Sequence, residues 1–210
     1  MSENDANWRF AEELVAESDE LIAARQHSIE LGIDAVSPAV GSQIAVIAAA
    51  TGATRIIEIG TGVGVSGLWL FRGAPGATLT SIDIEADHLQ QARRTFTDAG
   101  IPIGRVRLIT GRALEVLPRM NERSYDIVLV DADPGKVIEY VEHGLRLVRA
   151  GGTVIVTHAL WRGRVADPAA RDEVTVGYRT LLKEIAASDA VISALSPVGD
   201  GVLQLTKRED

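Results

Sequence analysis

The spacing of hydrophobic positions changes along the chain. From Asn7 to Leu31, Trp8, Ala11, Leu14, Val15, Leu21, Ile22 and Leu31 stand among acids at helical intervals. That stripe predicts a helix broken near Ser18-Asp19 and stopped by Gly32. Ser37-Pro38 opens a second helix, Pro38 to Thr51, with proline at its first position and Gly52 at its end. The period then shortens. Ile56, Ile57 and Ile59 are β-branched and adjacent, as a strand buried on both faces requires. Gly60, Gly62 and Gly64 follow, and Val65 to Arg72 reads as a helix. Glycines at such a turn let a ligand approach the main chain, and the free N–H groups of the next helix face it. Strand, glycine turn and helix form the nucleotide-binding start of a doubly wound α/β domain.

The alternation continues. After the turn Gly73-Ala-Pro-Gly76, Ala77 to Ile82 is a strand ending at Asp83, and Asp87 to Ala99 a helix stopped by Gly100. Val106 to Ile109 is a strand, Arg112 to Met120 a short helix, and Tyr125 to Val130 a strand running into Asp131-Ala-Asp133-Pro134. Val137 to Val148 is a helix; Thr153 to Val156 is a strand ending at Thr157-His158. A loop from Ala159 to Ala169 leads to a helix from Arg171 to Ser188. The tail breaks the rhythm: Ala190–Leu195 and Val202–Thr206 are strands joined only through Pro197-Val-Gly-Asp-Gly201. So short a link permits an antiparallel pair and no parallel crossover. The expected fold is α/β, a doubly wound, Rossmann-like, seven-stranded sheet with an antiparallel C-terminal hairpin. Residues 1–210 are expected to form one domain, with residues 1–36 as a helical lid or dimer contact.

Composition narrows the function classes. Of 210 residues, 46% are hydrophobic and 24% charged, as in a soluble globular domain with a full core. A net charge of −8 without a basic block argues against a nucleic-acid surface. The absence of cysteine removes disulfides, a thiolate nucleophile and a Cys-zinc site. The acidic N-terminal stretch reads as neither signal peptide nor membrane anchor, so none is expected, and the apolar run Ile44–Ala50 is too short to span a bilayer. A cytoplasmic protein is expected.

The candidate chemistry clusters at the carboxyl ends of the strands. A dinucleotide fingerprint would put Gly or Ala where Val65 stands, and Glu58, two residues before Gly60, would repel a pyrophosphate. A ligand bearing an amine or sulfonium suits Glu58 better. Asp83 stands where an acid usually holds ribose hydroxyls, or it caps the helix that follows. Ser66 could bond a ligand or cap its helix, and Ala113, in Gly111-Arg-Ala113, offers a backbone N–H. Asp131 and Asp133 end the fourth strand and could hold a divalent cation or a ligand's amine. His158 ends the next strand beside them, as a satisfied polar residue or as a functional one. His27, His88 and His143 fall in helical stretches and read as surface or packing.

Several segments together resemble the cation-dependent O-methyltransferases related to caffeoyl-CoA and catechol methyltransferases, in particular an actinobacterial branch. They are Ser37-Pro-Ala-Val-Gly41, Glu58-Ile-Gly-Thr-Gly-Val-Gly-Val-Ser-Gly-Leu-Trp-Leu70, Ser81-Ile-Asp83, Gly111-Arg-Ala113, Asp131-Ala-Asp133, Gly151-Gly152, Leu160-Trp-Arg-Gly-Arg-Val165 and Pro197-Val-Gly-Asp-Gly201. The resemblance runs from about Ser37 to the C-terminus. It implies transfer of a methyl group from S-adenosylmethionine to a small-molecule hydroxyl, with Val40, Glu58, Gly60, Thr61, Ser66, Asp83, Ala113 and Asp133 contacting the cofactor. Asp131 would ligate a metal and touch the acceptor, and a homodimer is expected. The chain departs from the pattern where the family carries an Asp-Asn metal pair, here Thr157-His158, and a catalytic lysine, here Pro134. His158 is therefore expected as general base, or with Asp131 as ligand to a softer metal. Two other readings are a non-catalytic S-adenosylmethionine-binding protein and an NAD-dependent oxidoreductase; Glu58, Val65 and the tail hairpin disfavour the latter.

Overall fold

The computed structural model describes residues 3–209. Helices α1 (Glu3–Leu14), α2 (Asp19–Glu30) and α3 (Pro38–Ala50) precede an alternating core. That core runs β1 (Arg55–Ile59), α4 (Val65–Gly73), β2 (Thr78–Asp83), α5 (Ala86–Asp98), β3 (Val106–Thr110), α6 (Ala113–Val116), β4 (Tyr125–Val130), α7 (Val137–Leu147) and β5 (Val148–Val156). Helix α8 (Glu173–Ala186) leads to β6 (Val191–Ser196) and β7 (Val202–Lys207). The strands form one seven-stranded sheet ordered β3-β2-β1-β4-β5-β7-β6. The first five pair in parallel, and β7 lies antiparallel to both β5 and β6. The predicted fold class and tail hairpin are both present.

Why the strands read as unbroken apolar runs is visible in the packing. Ile56, Leu79, Ile127, Leu129 and Ile155 face α3, α4 and α5. Ile57, Ile59, Val128, Val130, Val154 and Val156 face the opposite layer with Tyr140, Leu147 and Leu181. Both faces are covered, so alternation of polar and apolar residues disappears. Successive strands wind one way from β1 to β3 and the other way from β4, so the order reverses between β1 and β4. Open α/β sheets bind ligands at the carboxyl edge of such a switch point.

Three boundaries differ from expectation. Strand β5 starts at Val148 and takes in Gly151-Gly152, because its register against β4 shifts between Tyr125 and Ile127 and leaves extra residues on β5. The expected helix Arg112–Met120 is a single turn, Ala113–Val116, followed by a tighter turn containing Pro118, which has no N–H to continue the ladder. Helix α8 begins only after Asp172, whose side chain accepts from the Thr175 N–H as N-cap.

The N-terminal stripe breaks where Ser18 caps α2. Glu12 of α1 accepts from the Ser37 hydroxyl at 2.6 Å and the Ala39 N–H at 2.8 Å, so a carboxylate sits on the N-terminus of α3. Arg25 pairs with Glu17 and donates to the Val36 carbonyl at 2.6 Å. These contacts fasten the N-terminal helices to the segment that enters α3.

At the amino-terminal end of β4, Asp126 accepts from the Thr54 N–H and hydroxyl, the Arg55 N–H and the Arg149 guanidinium, all within 2.9 Å. Burial alone would raise its pKa, but these donors outweigh burial and hold the carboxyl below its ordinary value of 3.8. A depressed pKa contributes stability that is present above the ordinary value and lost as pH falls through the folded one. Asp126→Ala should cost roughly 1–3 kcal/mol in urea melts at pH 7. The gap from the parent protein should narrow in acid; a constant gap would assign the loss to packing instead.

Candidate active site

The site is built upward from Glu58. Strand alternation puts its side chain on the same face as Ile56, toward α4. Ser81 stands opposite it on β2 by register, and Ser66 lies in the first turn of α4. Ser66 donates to Glu58 Oε1 at 2.6 Å, Ser81 donates to Oε2, and the Thr61 hydroxyl meets Ser81 Oγ at 2.6 Å. Glu58 is fully buried. Burial pushes its carboxyl up to about 8 against the pull of Ser66 and Ser81, and the nearby Asp131 and Asp83 push it further. The Glu58 carboxyl group lies beneath the glycine loop, with a hydroxyl on each oxygen, and is not among the residues lining the cleft above.

The loop itself is held by Asp83. The N–H groups of Thr61 and Gly62 each donate to Asp83 Oδ2 at 2.9 Å, and the Glu85 N–H donates to Oδ1 at 2.9 Å. The capping reading of Asp83 is thus present, and so is its position on the cleft wall. Gly60, at φ +90°, passes so close to β4 that a Cβ there would sit 1.8 Å from the Asp131 carbonyl oxygen. No other residue fits that crossing.

Above the loop lies a cleft of about 430 Å³. Of the expected cofactor residues, Gly60, Gly62, Asp83, Ala113 and Asp133 line it, together with Asp131, expected as a catalytic residue and metal ligand. Thr61 and Ser66 are buried below with Glu58. Val40 lines a second cavity of about 350 Å³, with Ser37, Asp34, Thr157 and His158. The cleft is also lined by Ile33, Ile84 and Tyr140, which the sequence reading passed over, and by Lys136 and His88, to which it gave no role. His88, read as surface or packing, has Nδ1 3.7 Å from Asp83 Oδ1. Ile84 follows the strand-ending acid directly and stays 54% exposed on the cleft wall, an apolar surface open to a ligand. Apolar walls at Ile33, Ile84, Ala113 and Tyr140, with carboxylates at Asp83, Glu85, Asp131 and Asp133, suit a flat ring joined to a cationic chain.

At the edge of the cleft, Asp131 Oδ1 accepts from the Thr157 hydroxyl at 2.7 Å and lies 3.6 Å from His158 Nε2. Burial raises the Asp131 carboxyl; His158 and Thr157 pull it back, and Asp34 raises it further. On its other side, His158 Nδ1 is 3.5 Å from Asp200 Oδ2. Tyr178, stacked on Trp161 with ring centroids 6.1 Å apart, closes the floor of the small pocket beside His158. Burial first, then Asp131, Asp200 and Asp133, hold its phenol well above the ordinary value.

Would these residues hold a divalent metal? A hard cation such as Mg²⁺ needs several oxygens with free lone pairs. Here Asp131 Oδ1 already accepts the Thr157 proton, the neighbouring group is an imidazole, and Asp200 lies behind that ring at Nδ1 and not beside Asp131. Among the described residues no three His, Cys, Asp or Glu side chains converge as a ligand set. The donors do not fit the metal that the resemblance implies.

The sequence profile of an O-methyltransferase family matches residues 11–208. The chain belongs to that O-methyltransferase family. Among its relatives, a Mycobacterium tuberculosis protein named as a probable O-methyltransferase is 44% identical over 203 residues, covering 96% of this chain and 91% of its own. Among solved structures, a Corynebacterium glutamicum protein superimposes with a TM-score of 0.91 at 28% identity, over 100% of this chain and 99% of its own. The O-methyltransferase TomG from Streptomyces achromogenes, involved in tomaymycin synthesis and crystallised with S-adenosylmethionine, superimposes with a TM-score of 0.85 at 30% identity and full coverage of both chains. The family match also takes in most of the N-terminal helices, which the sequence resemblance did not reach.

For this family member, Glu58 gives a pH signature. Its carboxyl is raised from 4.5 to about 8, so the folded chain keeps a proton that the unfolded chain has lost. That stability is complete below 4.5 and disappears as pH rises through about 8. Glu58→Gln should flatten the fall in melting temperature between these limits, read by thermal melts of the ligand-free protein at fixed ionic strength. Parallel melting curves for the two proteins would show that Glu58 is ionised in the fold.

Proposed function

We propose that this chain transfers the methyl group of S-adenosylmethionine to a hydroxyl of a small molecule. The observation that carries the reading is the acid-lined cleft over the glycine loop, with apolar walls for a flat ring. S-adenosylmethionine supplies an electrophilic methyl on a sulfonium, which an acceptor oxygen displaces in line as the C–S bond breaks. In this reading Asp83 uses its remaining lone pairs on the ribose hydroxyls, and the backbone N–H of Ala113 meets the adenine between Ile84 and Tyr140. Gly60 and Gly62 let the amino-acid chain pass, with Val40, Thr61 and Ser66 shaping its end. Asp133 and Asp131 face its cation, and Glu58 adds negative potential from below once ionised.

His158 takes the proton from the acceptor hydroxyl on Nε2, beside Asp131. This stands in for the metal and lysine that the family pattern would use, and it is supported by the donor set around Asp131. The acceptor enters through the cavity between Asp34, Val36, Thr157 and His158. Further parts of the reading are a homodimer, with Phe10, Leu14 and Ile29 exposed on the N-terminal helices as its contact, and residence in the cytoplasm as one domain. Nucleic acid and membrane have no part in it; no helix among the described residues is long and apolar enough to cross a bilayer.

Calorimetric titration tests the cofactor. S-adenosylhomocysteine should bind more tightly than NAD, and Asp83→Ala should weaken it by roughly 1–3 kcal/mol. Tighter binding of NAD would overturn the reading. With an acceptor found, EDTA should leave the rate unchanged and His158→Ala should lower it by roughly 10²–10⁴-fold. Activity abolished by EDTA and restored by Mg²⁺ would remove His158 from the role of base.

A further inference from the structure

The segment Pro197-Val-Gly-Asp-Gly201 turns the chain from β6 to β7, yet its contacts are far tighter than a turn requires. A Cβ on Gly199 would sit 2.5 Å from Val40 Cγ2, and one on Gly201, at φ +90°, would sit 2.7 Å from the Leu160 N. Between these two seats lies Asp200. Its carbonyl accepts from the Leu160 N–H at 2.8 Å, and its Oδ1 accepts from the Arg162 N–H at 2.6 Å. The Gly201 carbonyl accepts from the Ala159 N–H at 3.0 Å. The loop so gripped is strained: His158, Trp161 and Arg162 have φ of 53°, 46° and 54°, a region that side chains other than glycine rarely enter. The turn thus fixes the backbone that carries His158.

The remaining oxygen of Asp200 is the informative atom. Oδ2 is buried and accepts no hydrogen bond, and a buried acceptor without a donor is costly. His158 Nδ1 lies 3.5 Å away. Asp131, on the other side of the ring, already has the Thr157 hydroxyl. We infer that Asp200 is a positioning residue for the methyl transfer: it draws the His158 proton onto Nδ1 and leaves the lone pair of Nε2 facing Asp131 and the acceptor. This rests on the reading of His158 as the base. The proton of the acceptor hydroxyl then moves to Nε2 as its oxygen gains the methyl group, and the imidazolium formed is stabilised between Asp200 and Asp131. It returns that proton to water after the product leaves. The arrangement has the logic of a carboxylate that orients a catalytic imidazole, built here from a hairpin turn.

The test reads the ring itself and needs no acceptor. Two-bond ¹H–¹⁵N correlation spectra of histidine-labelled protein, with His158 assigned by its loss in His158→Gln, report the tautomer at a pH where the ring is neutral. The parent protein should show the proton on Nδ1. Asp200→Asn keeps an acceptor for the Arg162 N–H but can turn an amide donor toward Nδ1, so the proton should move to Nε2. A parent ring protonated on Nε2, or a tautomer unchanged in Asp200→Asn, overturns the inference; the first result stands even if the variant does not fold. With an acceptor in hand, Asp200→Asn should lower kcat by roughly 10²-fold or more and leave the KM for S-adenosylmethionine within about twofold. Binding of S-adenosylhomocysteine by both proteins separates the outcomes: failure to bind it sinks the cofactor reading, whereas normal binding with the wrong tautomer sinks only the role of Asp200.

Discussion

Two backbones nearly touch at the switch point, and the site depends on that approach. The Gly60 N–H donates to the Ile82 carbonyl and the Asp131 N–H to the Ile59 carbonyl, both at 2.8 Å, so the ladder continues past the named ends of β1 and β4. Gly60 then crosses directly over the Asp131 carbonyl. A side chain at position 60 would pry β1 from β4 where the strand order reverses. With no Cβ there, the loop stays flat, Asp83 can clamp Thr61 and Gly62 from β2, and three strand ends share one ledge.

That ledge concentrates acid. Glu58, Asp83, Asp131 and Asp133 lie within one layer, with Glu85, Asp34 and Asp200 around it, and neighbouring acids push the Glu58 and Asp131 carboxyls up where burial already disfavours their ionisation. The fold tolerates this through hydroxyls and N–H groups: Ser66 and Ser81 for Glu58, Thr157 for Asp131, three backbone donors for Asp83. None of these donors carries charge. The layer therefore keeps a negative potential, which a cationic ligand would relieve and an anionic one would worsen. Asp126, by contrast, has an arginine and sits at the other end of the sheet, where its task is to hold β1 and β4 together.

Most of the fold was legible because its signals are local. Periodicity, the proline at the start of α3 and the glycine after it, and the short final link each act over a few residues. The ends of β5 and the collapse of the expected Arg112–Met120 helix were not, since register shifts depend on the partner strand. In the site, strand-end positions named the cleft residues well, because any side chain at a carboxyl edge beside the switch point faces the same space. Glu58 lies one layer below the cleft lining: its spacing from Gly60 was visible, but not the serines that draw it inward, since Ser81 is opposite only by register. Asp200 was invisible as a partner of His158 because 42 residues and an antiparallel strand separate them. The motif containing it read as a turn, which it is, and nothing local says what the turn grips.

His158 then poses a question of substitution. The resemblance puts an asparagine at its position, and asparagine is among the few side chains that accept a left-handed backbone at low cost. The histidine adopts that conformation, at φ 53°. The imidazole stands between two aspartates and remains partly exposed. The strain is held by the hairpin turn through Asp200 and Gly201, and by the Trp161 N–H closing back on the His158 carbonyl at 2.9 Å. A backbone cost kept in place by hydrogen bonds from a distant strand is what the proposed role of His158 as base would call for. What the site loses in oxygen donors at Thr157-His158 it regains as a ring that can carry a proton, poised between Asp131 at the cleft and Asp200 behind it.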